Sequence, residues 1–93
     1  MKKNYVELSG SIANEVKVYS TKSGKEYCRF TVIVTEDKFT EYIRCVAWEK
    51  AAKAIGKMSK GDNVSVKGRI HNSSYESNGE KKYSTDVLVE EVE

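Results

Sequence analysis

Apolar and polar residues alternate with a period of two through most of the chain, and one short stretch switches to the helical period. Strict alternation is what a strand needs when one of its faces is buried and the other is not. The segment NYVELSGSIA sets Val6, Leu8 and Ile12 against Tyr5, Glu7 and Ser9. Gly10 falls in the inward series, where a missing side chain suits a sharp bend or bulge. The strand is expected to resume at Val16, Lys17, Val18 and Tyr19, then turn between Lys22 and Lys25. EYCRFTVIV places Cys28, Phe30, Val32 and Val34 inward, with Arg29, Thr31 and Ile33 outward. EYIRCVAW places Ile43, Cys45 and Ala47 inward.

From Glu49 the period changes. Ala51, Ala54, Ile55 and Met58 recur at the spacing of an amphipathic helix. Gly61, following Lys57 and Lys60, is expected to close that helix in the left-handed conformation. Period two returns at Asn63, with Val64, Val66, Gly68 and Ile70 inward and Ser65, Lys67, Arg69 and His71 outward. After the turn signal Ser77-Asn78-Gly79, KYSTDVLVEEV supplies a last strand. Three strands, a short helix and two strands give an all-β chain in the order of the OB-fold, a five-stranded Greek-key barrel with one helix between strands 3 and 4. The SH3-like barrel, its main competitor, has no helix at that place. Ninety-three residues make one domain, 1–93.

Composition narrows the class. With 16 Lys and Arg against 14 Asp and Glu, the formal charge is only +2, so phosphate attraction alone is a weak source of affinity. Aromatic residues at 10% of the chain could supply a second source. Cys28 and Cys45 fit no zinc or redox spacing. If residues 26–36 and 41–48 form a hairpin, Cys28 lies opposite the Trp48 region and Cys45 opposite Thr31, too far apart to bond. Both read as reduced, core-facing residues, which points to the cytoplasm. The N-terminus carries no signal-peptide pattern, and no run is apolar enough to span a membrane.

The outward series of EYIRCVAW is Tyr42, Arg44, Val46 and Trp48. A solvated strand face normally carries small polar or charged residues, so two large aromatics flanking an arginine call for a ligand or a packing partner. Rings of this kind stack on unpaired bases whatever their identity, and Arg44 can pair with a phosphate or stack on a base. Tyr75 ends the outward series of Arg69, His71 and Ser73, on a hairpin from Ser74 to Tyr83 expected to fold over a bound strand. Lys81 and Lys82 flank that loop as phosphate contacts or as solvated charge. Phe39, on the short loop Glu36 to Phe39, either extends the stacking platform or packs at a subunit interface. Lys2, Lys3, Lys17, Lys22, Lys25 and Arg29 could add phosphate contacts, although scattered lysine is mostly solvated surface. Tyr5, Tyr19 and Tyr27 suit the core rim, an interface or a ligand equally. His71 has no second histidine for a metal site or triad.

The pieces NYVELSGSI, SGKEYCRFTV, EYIRCVAWEKAAK, KGDNVSVKGRI and YSTDVLVEEV, in this order, resemble the bacterial and phage single-stranded DNA-binding proteins of the SSB type. The resemblance runs from Asn4 to about Val92, and KGDxVxVxGR is its most specific part. It implies an OB-fold that wraps single-stranded DNA without sequence preference, as a homodimer or homotetramer. Tyr42, Trp48 and Tyr75 match stacking positions of the family, and Arg44 a basic one. His71 to Ser74 are poorer in Arg and Lys than the family pattern. No Gly/Pro/Gln-rich tail with an acidic tip follows Val92, so recruitment of other proteins through such a tail is not expected.

Two other classes compete. An OB-fold replication adaptor would use the same face on a protein. A nuclease needs clustered carboxylates around a metal, and Asp37, Asp62 and Asp86 are scattered in sequence. No catalytic residue, metal or cofactor is therefore expected. Stacking does not by itself separate DNA from RNA, which leaves RNA open as a ligand.

Overall fold

The computed structural model describes residues 3–93. Six strands and one helix follow in the order β1 (Val6–Ile12), β2 (Tyr19–Ser20), β3 (Glu26–Glu36), β4 (Phe39–Trp48), α1 (Lys50–Gly56), β5 (Asn63–Ser77) and β6 (Glu80–Val92). The sheet order is β1-β5-β6-β4-β3-β2, and a further pairing of β1 with β3 closes the five long strands into a ring. All neighbours are antiparallel except β4 and β6, which run parallel over Cys45–Ala47 and 87–89. This is the OB-fold expected from the alternation, with its helix between the third and fourth long strands.

Closure depends on one bend. Strand β1 pairs with β5 from Val6 to Ser11, then passes to β3 through Ser11 and Ile12. Gly10 sits at the crossing, where a Cβ would be driven into the carbonyl oxygen of Ile33. Two backbones meet there with no room for a side chain. Gly10→Ala is expected to lower stability by roughly 1–3 kcal/mol, the usual cost of overpacking, as measured by chemical denaturation.

Helix α1 packs against β3, β4 and β6 and closes one end of the barrel. Ala51, Ala52 and Ile55 form its buried stripe, with Ala54 and Met58 half-buried. The core joins them to Ile12, Phe30, Val32, Ala47, Val64, Val66, Val87 and Val89, and no polar side chain is buried among the described residues.

Several expectations are corrected. The helix ends at Gly56 with Lys57 as a right-handed C-cap. Gly61 instead supplies the left-handed residue (φ 92°) of the turn Ser59–Asp62 that leads into β5. The strand expected from Val16 to Tyr19 is reduced to Tyr19–Ser20, because only those residues find a partner, on β3. The β3–β4 register is one residue off the expectation, placing Cys28 opposite Ala47 and Cys45 opposite Phe30. Ile70 shares the inward face of its partner Val87 but is 51% exposed, because β5 has by then run past the end of the barrel. Residues 74–83 form the expected hairpin, a regular two-stranded arm turning at Asn78 and Gly79, both left-handed as a tight hairpin turn requires.

Both cysteines are free and buried. Burial, with the Asp86 carboxylate as a smaller cause, pushes the Cys45 thiol up from 9.0 to about 12. The folded state therefore holds this proton more tightly than the unfolded chain does. Its contribution is fully present below pH 9 and is lost as the pH rises toward 12. Unfolding followed by circular dichroism should show stability falling across that window, and a Cys45→Ala variant should lose that part of the fall.

Candidate nucleic-acid interface

Cross-strand partners share a sheet face, so the registers assemble the outer surface row by row. Nearest the helix, Tyr19, Tyr27 and Trp48 lie side by side across β2, β3 and β4. The next row is Arg29, Val46, Leu88 and Arg69 across β3, β4, β6 and β5. The third joins Thr31 and Arg44 to the pair Asp86 and His71. Beyond it β4 and β6 part. Ile33 and Tyr42 continue on the β3–β4 hairpin, while Ser84, Ser73, Lys82 and Tyr75 continue on the β5–β6 arm.

The sheet thus brings eight of the ten expected site residues to one face: Arg29, Tyr42, Arg44, Trp48, Arg69, His71, Tyr75 and Lys82. Tyr42 is 68% exposed, Tyr75 52% and Trp48 39%. The registers put the other two elsewhere. Phe39, at the β3–β4 tip, has the parity of Ile43 and Cys45 and lines a hollow with Val34 and Glu41 on the opposite side. Lys81 pairs with Glu76 on the reverse of the arm and lies 5.8 Å over the Tyr83 ring.

Arg44 is not a free cation. Its Nε stands 3.6 Å from Oδ1 of Asp86, and its Nη2 donates to the Thr85 carbonyl oxygen at 3.4 Å. The Asp86 side chain is only 19% exposed, that of Arg44 65%. Where β4 and β6 part, Arg29, Thr31, Arg44, Ser84 and Asp86 border a hollow of about 240 Å³ that Phe30 and Cys45 also line. The pairing tethers the guanidinium to β6 and neutralises part of its charge. An arrangement of this kind favours stacking on a base over capture of a phosphate.

Three features escaped the sequence reading. Tyr27 stacks on Trp48 with ring centroids 5.0 Å apart, and Tyr19 on Tyr27 at 5.8 Å. Parity alone put Tyr27 on the face of Arg29, but the register error hid its contact with Trp48. The Asp86 partnership needed the parallel β4–β6 pairing, for which the sequence carries no local sign. At the end of the barrel, Val6, Leu8, Ile43, Ile70 and Val87, together with Tyr42, Arg44, Thr85 and Asp86, line a largely apolar cleft of about 410 Å³. Among the described residues no group of three or more His, Cys, Asp or Glu could hold a metal ion, and no helix is long and apolar enough to cross a membrane.

An OB barrel with an aromatic and basic outer face defines a class of nucleic-acid-binding modules. Within that class the chain belongs to the single-strand binding protein family, whose model matches residues 3–93. A single-stranded DNA-binding protein of Fusobacterium nucleatum is 34% identical over 97% of this chain and 65% of its own length. Another, single-stranded DNA-binding protein 1 of Streptococcus pyogenes, is 30% identical over 94% of this chain and 74% of its own. The crystal structure of a deletion mutant of the single-stranded DNA binding protein from Thermus aquaticus superposes with a TM-score of 0.84 at 25% identity. That match covers 98% of this chain and 40% of the other. The chain thus spans about two thirds of the length of the first of these relatives.

Proposed function

We propose that this chain is a non-catalytic, sequence-tolerant binder of single-stranded DNA that protects unpaired strands during replication or recombination. The observation that carries this reading is the clustering of Tyr42, Arg44, Trp48, Arg69, His71, Tyr75 and Lys82 on one exposed face of an OB barrel. Bases stack on Tyr42, Trp48 and Tyr75, contributing roughly 1–3 kcal/mol each. Arg29, Arg69 and Lys82 supply the cationic contacts. Residues 1–93 act as one binding domain in the cytoplasm. A homodimer or homotetramer forms through the edge of β1 that β5 leaves open, since an unpaired strand edge readily accepts another.

Fluorescence anisotropy with a labelled ~35-nucleotide dT oligomer, long enough to span several OB sites, tests the reading. Binding should be strong for the single strand and weak for a duplex of the same length. Equal affinity for both would sink it. The same titration with an RNA oligomer decides whether the 2′-hydroxyl is tolerated.

The ion pair leads to a further expectation. With Asp86→Asn, Arg44 is released to meet a phosphate, so binding tightens at low salt. The log–log salt dependence should then steepen by roughly 0.7, one single-strand phosphate contact.

The apolar cleft at Ile70 favours a second reading, an adaptor that docks on another protein. In that case Ile70→Glu would abolish partner binding and Tyr42→Ala would weaken it, while Trp48, which does not line the cleft, could be replaced without effect on it.

A further inference from the structure

We propose that bound single-stranded DNA continues past Trp48 and across β3 to β2, where Tyr19 provides a further base-stacking position and Lys22 and Lys25 provide phosphate contacts. The inference rests on the single-strand reading above and extends its track to a strand outside the expected site.

Three independent observations converge on β2. First, Trp48, Tyr27 and Tyr19 form a continuous ladder, tilted by 31° and 34° at successive steps. Tyr27 is half-buried between two rings, so its faces are occupied, whereas Tyr19 at the outer end is 53% exposed. Second, β2 is an outer edge strand of two residues. Val18 and Tyr19 stand exposed there, where an edge would ordinarily carry charged residues. Val18 rests against Gly56 of α1, whereas Tyr19 packs on Tyr27 and leaves half of its surface open to a ligand.

Third, the lysines next to the ladder are engaged in no ion pair among the described residues. The ion pairs among the described residues are Arg44–Asp86, Lys53–Glu26 and Lys67–Glu93, and none includes Lys17, Lys22 or Lys25. Glu26, the nearest acid along the chain, is already engaged by Lys53. The turn that presents Lys22 and Lys25 is itself ordered. The Thr21 amide donates to the Lys25 carbonyl at 2.8 Å and the Gly24 amide to the Thr21 carbonyl at 2.9 Å. The Lys25 amide donates to Thr21 Oγ1 at 3.2 Å. An exposed ring beside cations held on a rigid turn is the combination that single-strand channels use.

Oligomer length separates this segment from the central face. Trp48 fluorescence would be titrated with dT oligomers of increasing length against wild type, Tyr19→Ala, Tyr19→Phe and the double variant Lys22→Glu/Lys25→Glu. The shortest oligomer that quenches wild type should bind Tyr19→Ala equally well. Longer oligomers should bind it about 5- to 150-fold more weakly, the worth of one stacked base, and Tyr19→Phe should restore them. The lysine variant should flatten the salt dependence for long oligomers only. Tyr19→Ala binding every length as wild type does, or losing affinity equally at every length, overturns the extension. If wild type itself shows no quenching with any oligomer, the single-strand reading fails first. Quenching in wild type with Tyr19→Ala unaltered removes only the extension.

Discussion

Replacing Tyr42 and Trp48 together by alanine is expected to weaken single-strand binding by about 30-fold to 10⁴-fold, with the barrel intact. Each ring stacked on a base is worth roughly 1–3 kcal/mol, and a factor of ten corresponds to about 1.4 kcal/mol. The two rings stand on the same face of β4, six residues apart, with Arg44 between them. Tyr42 is largely exposed and can lose its ring without opening a cavity. Trp48 contacts Tyr27, so its removal also frees a neighbour that otherwise holds the platform in place. A chain with a formal net charge of only +2 cannot recover this loss from phosphates. Anisotropy against a labelled dT oligomer measures it, and circular dichroism of the double variant checks the fold. Affinity within two-fold of wild type would place the DNA somewhere other than on this face.

Ile55→Ala should have the largest effect on stability, with a loss of about 2–5 kcal/mol. Ile55 has no exposed surface and is among the largest fully buried side chains. It projects from α1, whose other buried residues are both alanine. The helix therefore closes the barrel end through this one bulky side chain, and small neighbours cannot move in to fill the space. A domain of this size has roughly 5–15 kcal/mol in total, so the variant should melt far lower or fail to accumulate. Urea denaturation monitored by circular dichroism gives the number. A change below 1 kcal/mol would mean that the helix rests on the barrel without sealing it.

The alternation made the long strands legible because each has one buried face, and period two survives wherever that holds. It also fixed the outward set of β4, since Ile43, Cys45 and Ala47 could face only the interior. Gly10 was readable as a bend, because an inward position without a side chain has few other uses. What stayed hidden depends on partners distant in sequence. The β3–β4 register turns on whether two residues or more form the connection, and Asp37 resolves it by adopting φ 49°. That one-residue difference concealed the Tyr27–Trp48 stack. Gly61 looked like a helix cap because lysines precede it, yet its amide donates to the Ile12 carbonyl oxygen at 2.8 Å, which ties the turn to β1 instead. Ile70 kept its inward parity but lost its burial, since alternation reports which face a residue is on and not how far the barrel extends. The contact of Arg44 with Asp86 joins residues 42 positions apart through a parallel pairing, and no local pattern encodes that.

The central expectation is that a single strand lies on the outer face around β4. Trp48 is the only tryptophan, so intrinsic fluorescence reports on that face directly. Titration with poly-dT at low salt should quench it strongly and saturably, and the affinity should fall as salt is raised. Unchanged Trp48 emission at low salt, with binding detected by another method or not at all, would contradict it.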